Sequence, residues 1–173
     1  MYPTDDPNIN AKMFNSIADL NFDLNNCRPN SIEFNECLKK IVNYIGPDTI
    51  IKGPVYFDIG NVTIGKHCFI NRDVKFIDFG GITLGDNVGI STNVVLIANG
   101  HPANPLTLET WVDTKEPITI DDGAWIGAGA IIKGPVHLGK NCIVGAGAVV
   151  VHDIPDYAVV VGVPAEIIKY TNK

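Results

Sequence analysis

No apolar run in the 173 residues approaches the ~18 needed to cross a bilayer as a helix. The opening Met1-Tyr2-Pro3-Thr4-Asp5-Asp6 is acidic where a secretory leader would be basic, so the expectation is a cytoplasmic protein with no membrane partner. Charged residues are scarce at 18%, and the formal balance of -6 does not suggest a nucleic-acid-binding surface. The cysteines Cys27, Cys37, Cys68 and Cys142 form no C-x-x-C pair and are too sparse for a disulfide framework or a zinc site, so they read as reduced and structural. Leucine is rare, 8 residues against 40 of Ile and Val together. That β-branched excess, with 17 Gly and 11 Pro, favours an all-β body with many corners.

What is present is a repeat of period six. Large apolar residues fall at Ile64, Ile70 and Phe76, at Leu84, Ile90 and Leu96, and at Ile120, Ile126, Ile132, Leu138, Val144 and Val150. Four residues after each comes a second series, nearly all small or aliphatic, running from Cys68 and Val74 to Ala148 and Ile154. Three residues after each, nine of twelve positions are Asn, Asp or Gly, the types that tolerate a left-handed backbone at a tight bend. Short strands joined at sharp corners, with both apolar series pointing inward, describe a parallel β-helix. Three strands would close a coil of roughly 18 residues, each coil stacked ~4.8 Å above the last. Spacing leaves the hand of the helix open.

The phase breaks twice. From Phe76 to Leu84 the step is eight, which bulges two residues out near Asp78-Phe79-Gly80-Gly81. From Leu96 to Ile120 the gap is 24, and residues 98–118 read as an excursion loop carrying Asn99-Gly100-His101-Pro102. Ahead of the repeats, Asn30 as N-cap and Glu33 as its capping-box partner start a helix that Gly46-Pro47 stops, and residues 8–24 form a weaker one. Pro164 to Lys169 reads as a short C-terminal helix with Pro in its first turn. The expected organisation is a helical segment over 1–50, the β-helix over 51–162 and a C-terminal helix over 163–173.

Several stretches are more specific than the repeat: Phe69-Ile70-Asn71, Ala98-Asn99-Gly100-His101-Pro102, Pro117-Ile118-Thr119-Ile120, Trp125-Ile126-Gly127, Gly145-Ala146-Gly147, Asp153-Ile154-Pro155 and Gly162-Val163-Pro164-Ala165. With them the chain resembles the hexapeptide-repeat acyltransferases, in the maltose and galactoside O-acetyltransferase group, over about residues 31–170. The resemblance implies a left-handed β-helix and a homotrimer with a site between neighbouring subunits. Acetyl-CoA would lie along the coils as co-substrate, with a small hydroxyl-bearing acceptor, a sugar first, and no metal. It makes His101 the general base, Asn71, Asp78 and Asp58 acceptor-binding residues, Trp125 an aromatic flanking the CoA groove, and the Ala128 and Ala146 amides contacts for pantetheine and thioester. At the distal end Val151, His152, Glu166 and Lys169 stand where the sugar enzymes have Thr-Lys and two Arg, so weaker phosphate anchoring is expected. Tyr2, Asp6 and Pro7 match an acceptor-binding stretch, without the longer leader that precedes it in the family.

The chemistry fits the residue types. Moving an acetyl group from a thioester to an alcohol needs a base, a donor for the developing oxyanion and two aligned substrates. Imidazole is the side chain able to take and return a proton near neutral pH. Serine or antibiotic O-acetyl transfer by the same His-loop arrangement is the competing enzymatic reading, and a catalytically silent β-helical scaffold is the alternative of another class. A γ-class carbonic anhydrase would need three zinc-binding His with one close pair, which His67, His101 and His137 do not provide.

Overall fold

The computed structural model describes residues 7–101 and 113–171, of which 7–14 by backbone alone. Helices α1 (Pro7–Asn26) and α2 (Ile32–Ile41) precede a parallel β-helix of about five turns. Its first coil is β1 (Tyr44–Ile45), β2 (Ile50–Ile51) and β3 (Val55–Phe57). The second is β4 (Val62–Ile64), β5 (Phe69–Ile70) and β6 (Val74–Ile77), and the third β7 (Ile82–Leu84), β8 (Gly89–Ile90) and β9 (Val95–Ile97). An antiparallel stem of β10 (Asn99–Gly100) and β11 (Thr114–Lys115) follows. The fourth coil is β12 (Ile118–Ile120), β13 (Trp125–Ile126) and β14 (Ile131–Lys133), the fifth β15 (Val136–Leu138), β16 (Ile143–Val144) and β17 (Val149–Val150). The chain closes with β18 (Ala158–Val161) and β19 (Glu166–Tyr170).

Strands stack in register into three faces: β1-β4-β7-β12-β15, then β2-β5-β8-β13-β16-β18 with β19 outside, then β3-β6-β9-β14-β17. All twelve large residues of the six-residue series are at most 1% exposed, which fixes the inward register. Eight of the twelve bend positions have positive φ, between 54 and 72°. The exceptions, Phe79, Asn99, Pro135 and Asp153, all lie where the third face turns back to the first. Two corners are therefore regular tight bends, and the third corner is free to vary in length and carries both phase breaks.

Three sequence expectations are corrected. The β-helix starts at Tyr44, because Ile45, Ile51 and Phe57 already keep the six-residue step. α2 therefore ends at Ile41, where Val42 is extended and the Asn43 and Gly46 amides bond to Val62 and Ile64 of β4. Its N-cap is Ser31, whose hydroxyl accepts the Phe34 amide; Asn30 has φ 62 and lies outside the helix. The C-terminal helix is a strand: β19 pairs antiparallel with β18, its register skipping Ile168. So short an isolated helix is marginal, whereas the segment around β-branched Ile167 gains a paired ladder on an otherwise open edge.

α1 is the longer of the helices and caps the other end. Asn21 exchanges two hydrogen bonds with the Phe57 backbone, at 2.7 and 3.0 Å, and Asn25 two with Val55, both at 2.9 Å. Four residues of helix rise ~6.0 Å and two of strand ~6.6 Å, so asparagines at i and i+4 match alternate residues of β3. The side-chain amides thus complete the third face as a further strand would. Among the described residues no helix is long and apolar enough to cross a membrane.

Candidate active site

The third corner gathers the acidic and basic groups. β10 and β11 pair Asn99 with Lys115 and Gly100 with Thr114, and continuing that register sets His101 opposite Asp113. His101 Nδ1 lies 3.2 Å from Asp113 Oδ1. The sequence reading missed Asp113, since only the antiparallel stem brings together residues twelve apart; the signal was an acid at the far foot of the loop that carries the candidate base. At the stem's foot Glu116 forms an ion pair with Lys133, whose ammonium burial pushes below its usual range.

One and two coils away along the same corner sit Asp78 and Asp58. Burial, and then the charge of Asp113, pushes the Asp58 carboxyl above the usual range, so Asp58 lies within electrostatic reach of the stem. Asp78 is wholly buried, with Oδ1 accepting the Ile59 amide at 2.9 Å and Oδ2 the Gly60 amide at 3.2 Å. Burial raises its pKa to about 6, against the pull of the Ile59 amide and with the help of the Asp58 charge. Val151 and His152 also belong to this corner, exposed on the fifth coil.

The second corner, between the second and third faces, holds a different set. Asn71 lies there on the second coil, its Oδ1 accepting the Arg72 amide at 2.9 Å. Ala128 and Ala146 follow on the fourth and fifth coils, stacked by the Gly147 amide on the Ala128 carbonyl at 2.9 Å. Neither alanine amide donates a hydrogen bond among the described residues. The first corner is filled where this one is open: there the Asp86, Asp122 and Asp156 carboxylates accept the Lys66, Asp86 and Lys140 amides. Trp125, on β13, lies 48% exposed across Gly89, where a Cβ would stand 2.5 Å from its ring. Glu166 and Lys169 are exposed on β19 at the edge of the same face. Within one chain, then, His101, Asp58 and Asp78 come together, and Asn71, Ala128 and Ala146 form a separate column. Tyr2 and Asp6 lie outside the described residues, and Pro7 opens α1.

Residues 117–152 match the family model for bacterial transferase hexapeptide (six repeats), and residues 61–98 that for the hexapeptide repeat of succinyl-transferase. The chain is 35% identical over 155 residues to the galactoside O-acetyltransferase of Escherichia coli (strain K12), covering 88% of this chain and 76% of that relative. The chain belongs to the hexapeptide-repeat acetyltransferases. Among solved members of the family, a maltose O-acetyltransferase from Clostridium difficile 630 matches with TM-score 0.90 and 29% identity, covering 95% of this chain and 89% of the other. A hexapeptide-repeat acetyltransferase from Vibrio cholerae O1 biovar eltor, complexed with acetyl coenzyme A, matches with TM-score 0.90 and 25% identity, covering 100% and 94%. In this hexapeptide-repeat acetyltransferase the third-corner imidazole that the structure pairs with a carboxylate, His101, stands on the stem that interrupts the repeat.

Proposed function

We propose that this acetyltransferase moves the acetyl group of acetyl-CoA to a hydroxyl of a small acceptor, a sugar of the galactoside or maltose kind, with His101 as general base. The observation that carries the reading is the His101–Asp113 pair beside Asp58. The Asp113 carboxylate at Nδ1 orients the ring and stabilises the imidazolium that forms when Nε2 takes a proton from the acceptor hydroxyl. As Nε2 takes that proton, the hydroxyl oxygen bonds to the thioester carbon; the C–S bond then breaks and the imidazolium returns the proton to the departing sulfur. The free Ala128 and Ala146 amides suit a pantetheine chain or a developing oxyanion, and their side chains are too small to obstruct it.

The two sets of groups lie on different corners of one chain, so the working site is built from two copies, the stem of one meeting the second corner of the next. The faces support such packing. The first face presents Thr63, Thr83, Thr119 and His137 outward, whereas the third presents Val95, Ile131 and Val149 beside Ile77 and Ile97, all partly exposed. A homotrimer closes these apolar surfaces by cyclic symmetry.

The test follows thiol release from acetyl-CoA with methyl β-galactoside, maltose, serine and chloramphenicol as acceptors. Sugar-dependent release is expected, and His101→Ala should lower it roughly 10²–10⁴-fold while acetyl-CoA binding persists. Release with serine or chloramphenicol alone would transfer the same chemistry to the competing acceptor class. No release with any acceptor, or full activity in His101→Ala, would sink the reading.

A further inference from the structure

We propose that Asp78 is a positioning residue for the acceptor side of this site, its carboxylate clamping the first-coil corner so that Asp58 faces the His101–Asp113 pair; this rests on the function proposed above. The two extra residues between Phe76 and Leu84 put the carboxylate in place, by giving the second coil enough chain to fold inward at the third corner. Its oxygens are committed to the Ile59 and Gly60 amides and no part of the residue is exposed, so Asp78 acts through residues 58–60 rather than by touching an acceptor. Successive amides aimed at one carboxylate form a nest, a geometry that fixes the backbone carrying them.

That backbone has little freedom elsewhere. Gly60 has φ +81, and a Cβ there would lie 2.0 Å from the Ile41 carbonyl, so the corner is wedged against the end of α2. On its other side the Asp78 bulge meets the stem. The Gly80 amide bonds to the Ala98 carbonyl at 2.8 Å, and a Cβ at Gly80 would lie 2.5 Å from the Glu116 amide. The clamp therefore sits between the segment bearing Asp58 and the strands bearing His101 and Asp113, and it sets their spacing. The charged group facing it from the first coil is Asp58, with Asp113 of the stem behind. With a pKa of about 6, Asp78 is ionised at neutral pH although buried, which costs folding stability. Asparagine would avoid the charge but set its NH2 group, a donor, against one of the two backbone amides, which are donors on different oxygens of the carboxylate.

The test compares wild type, Asp78→Asn, Asp58→Asn and the double variant with whichever sugar wild type acetylates. Asp78→Asn should raise the acceptor KM on the order of tenfold, as misplacement of a positioned group does, and leave the KM for acetyl-CoA unchanged. In the Asp58→Asn background the same substitution should add almost nothing, because the positioned group is gone. The acid limb of the wild-type pH profile should flatten in Asp78→Asn. Additive effects, an equal rise in both KM values, or no change would overturn the proposal. Amide exchange supplies a readout independent of turnover: Ile59 and Gly60 should exchange faster in Asp78→Asn while β13 and β16 keep wild-type protection, and unchanged exchange at 59–60 also overturns the clamp. Wild type inactive toward every acceptor would remove the proposed function, and the exchange data would still judge the clamp.

Discussion

His101 and Asp113 show how one residue acquires a partner that its neighbours in sequence do not announce. Two ladder pairs of a stem bring the imidazole and carboxylate to 3.2 Å, while every flanking coil follows its own six-residue rule. Asp78 gives a residue-scale prediction about pH. Its pKa is raised from 3.8 to about 6 on folding, so between those values the folded chain binds more protons than the unfolded one. The resulting contribution to stability is complete below the unfolded value and is lost as pH climbs through about 6. Thermal melts from pH 4 to 7 should show the Tm of wild type falling relative to that of Asp78→Asn, and a flat difference would contradict the assignment. The core makes a simpler demand. Ile126 is fully buried between Ile90 and Val144 in adjacent coils, so Ile126→Asp would bury an unpaired charge and cost upward of ~4 kcal/mol. The expected result is insoluble or unfolded protein; a soluble variant with the wild-type circular dichroism spectrum would refute the inward register.

At the scale of elements, the ends of the β-helix carry a risk that its middle does not. Each terminal strand leaves one row of amides and carbonyls without a neighbour, a template for association with another chain. At the N-terminal end α1 covers β3 through Asn21 and Asn25, and at the C-terminal end β19 covers β18. Replacing both asparagines by alanine removes the partners of four backbone groups on Val55 and Phe57, each worth about 1–3 kcal/mol if left unsatisfied. Asn21→Ala/Asn25→Ala should therefore melt several degrees lower and scatter more light on standing than wild type. A wild-type Tm would show that α1 covers β3 by apolar packing alone. The reversal of the C-terminal segment from expected helix to strand has the same origin, since an open edge supplies hydrogen bonds that propensity within residues 163–173 does not register.

For the whole molecule, the three faces are unequal, and the proposed assembly draws on that difference. The first face is polar outside, the second and third keep partly exposed Phe69, Ile143, Val95 and Ile131, and the candidate groups divide between the second and third corners. Sedimentation at micromolar concentration should report a trimer. A monomer that retained sugar acetylation would show that one chain completes the site, against the division of groups between its corners.

The six-residue step, the small inner series and the Asn, Asp and Gly bends determined the β-helix, because inward packing and left-handed corners are local demands that recur at a fixed interval. The same pattern located both interruptions, and with them His101 and Asp78, whereas Asp58 came only from the family resemblance. Ile45, Ile51 and Phe57 carried the step into the first coil as well, but the fit of Ile45 to the apolar face of the preceding helix concealed where the coil begins. Only tertiary structure decided the rest. Antiparallel register in the stem brought Asp113 to His101, stacking of coils set Asp78 on the Ile59 and Gly60 amides, and the free edge of β18 drew β19 into a strand. Each of these contacts joins residues whose separation is set by how coils stack or a loop closes, and neither distance is written in the composition or periodicity of the segments involved.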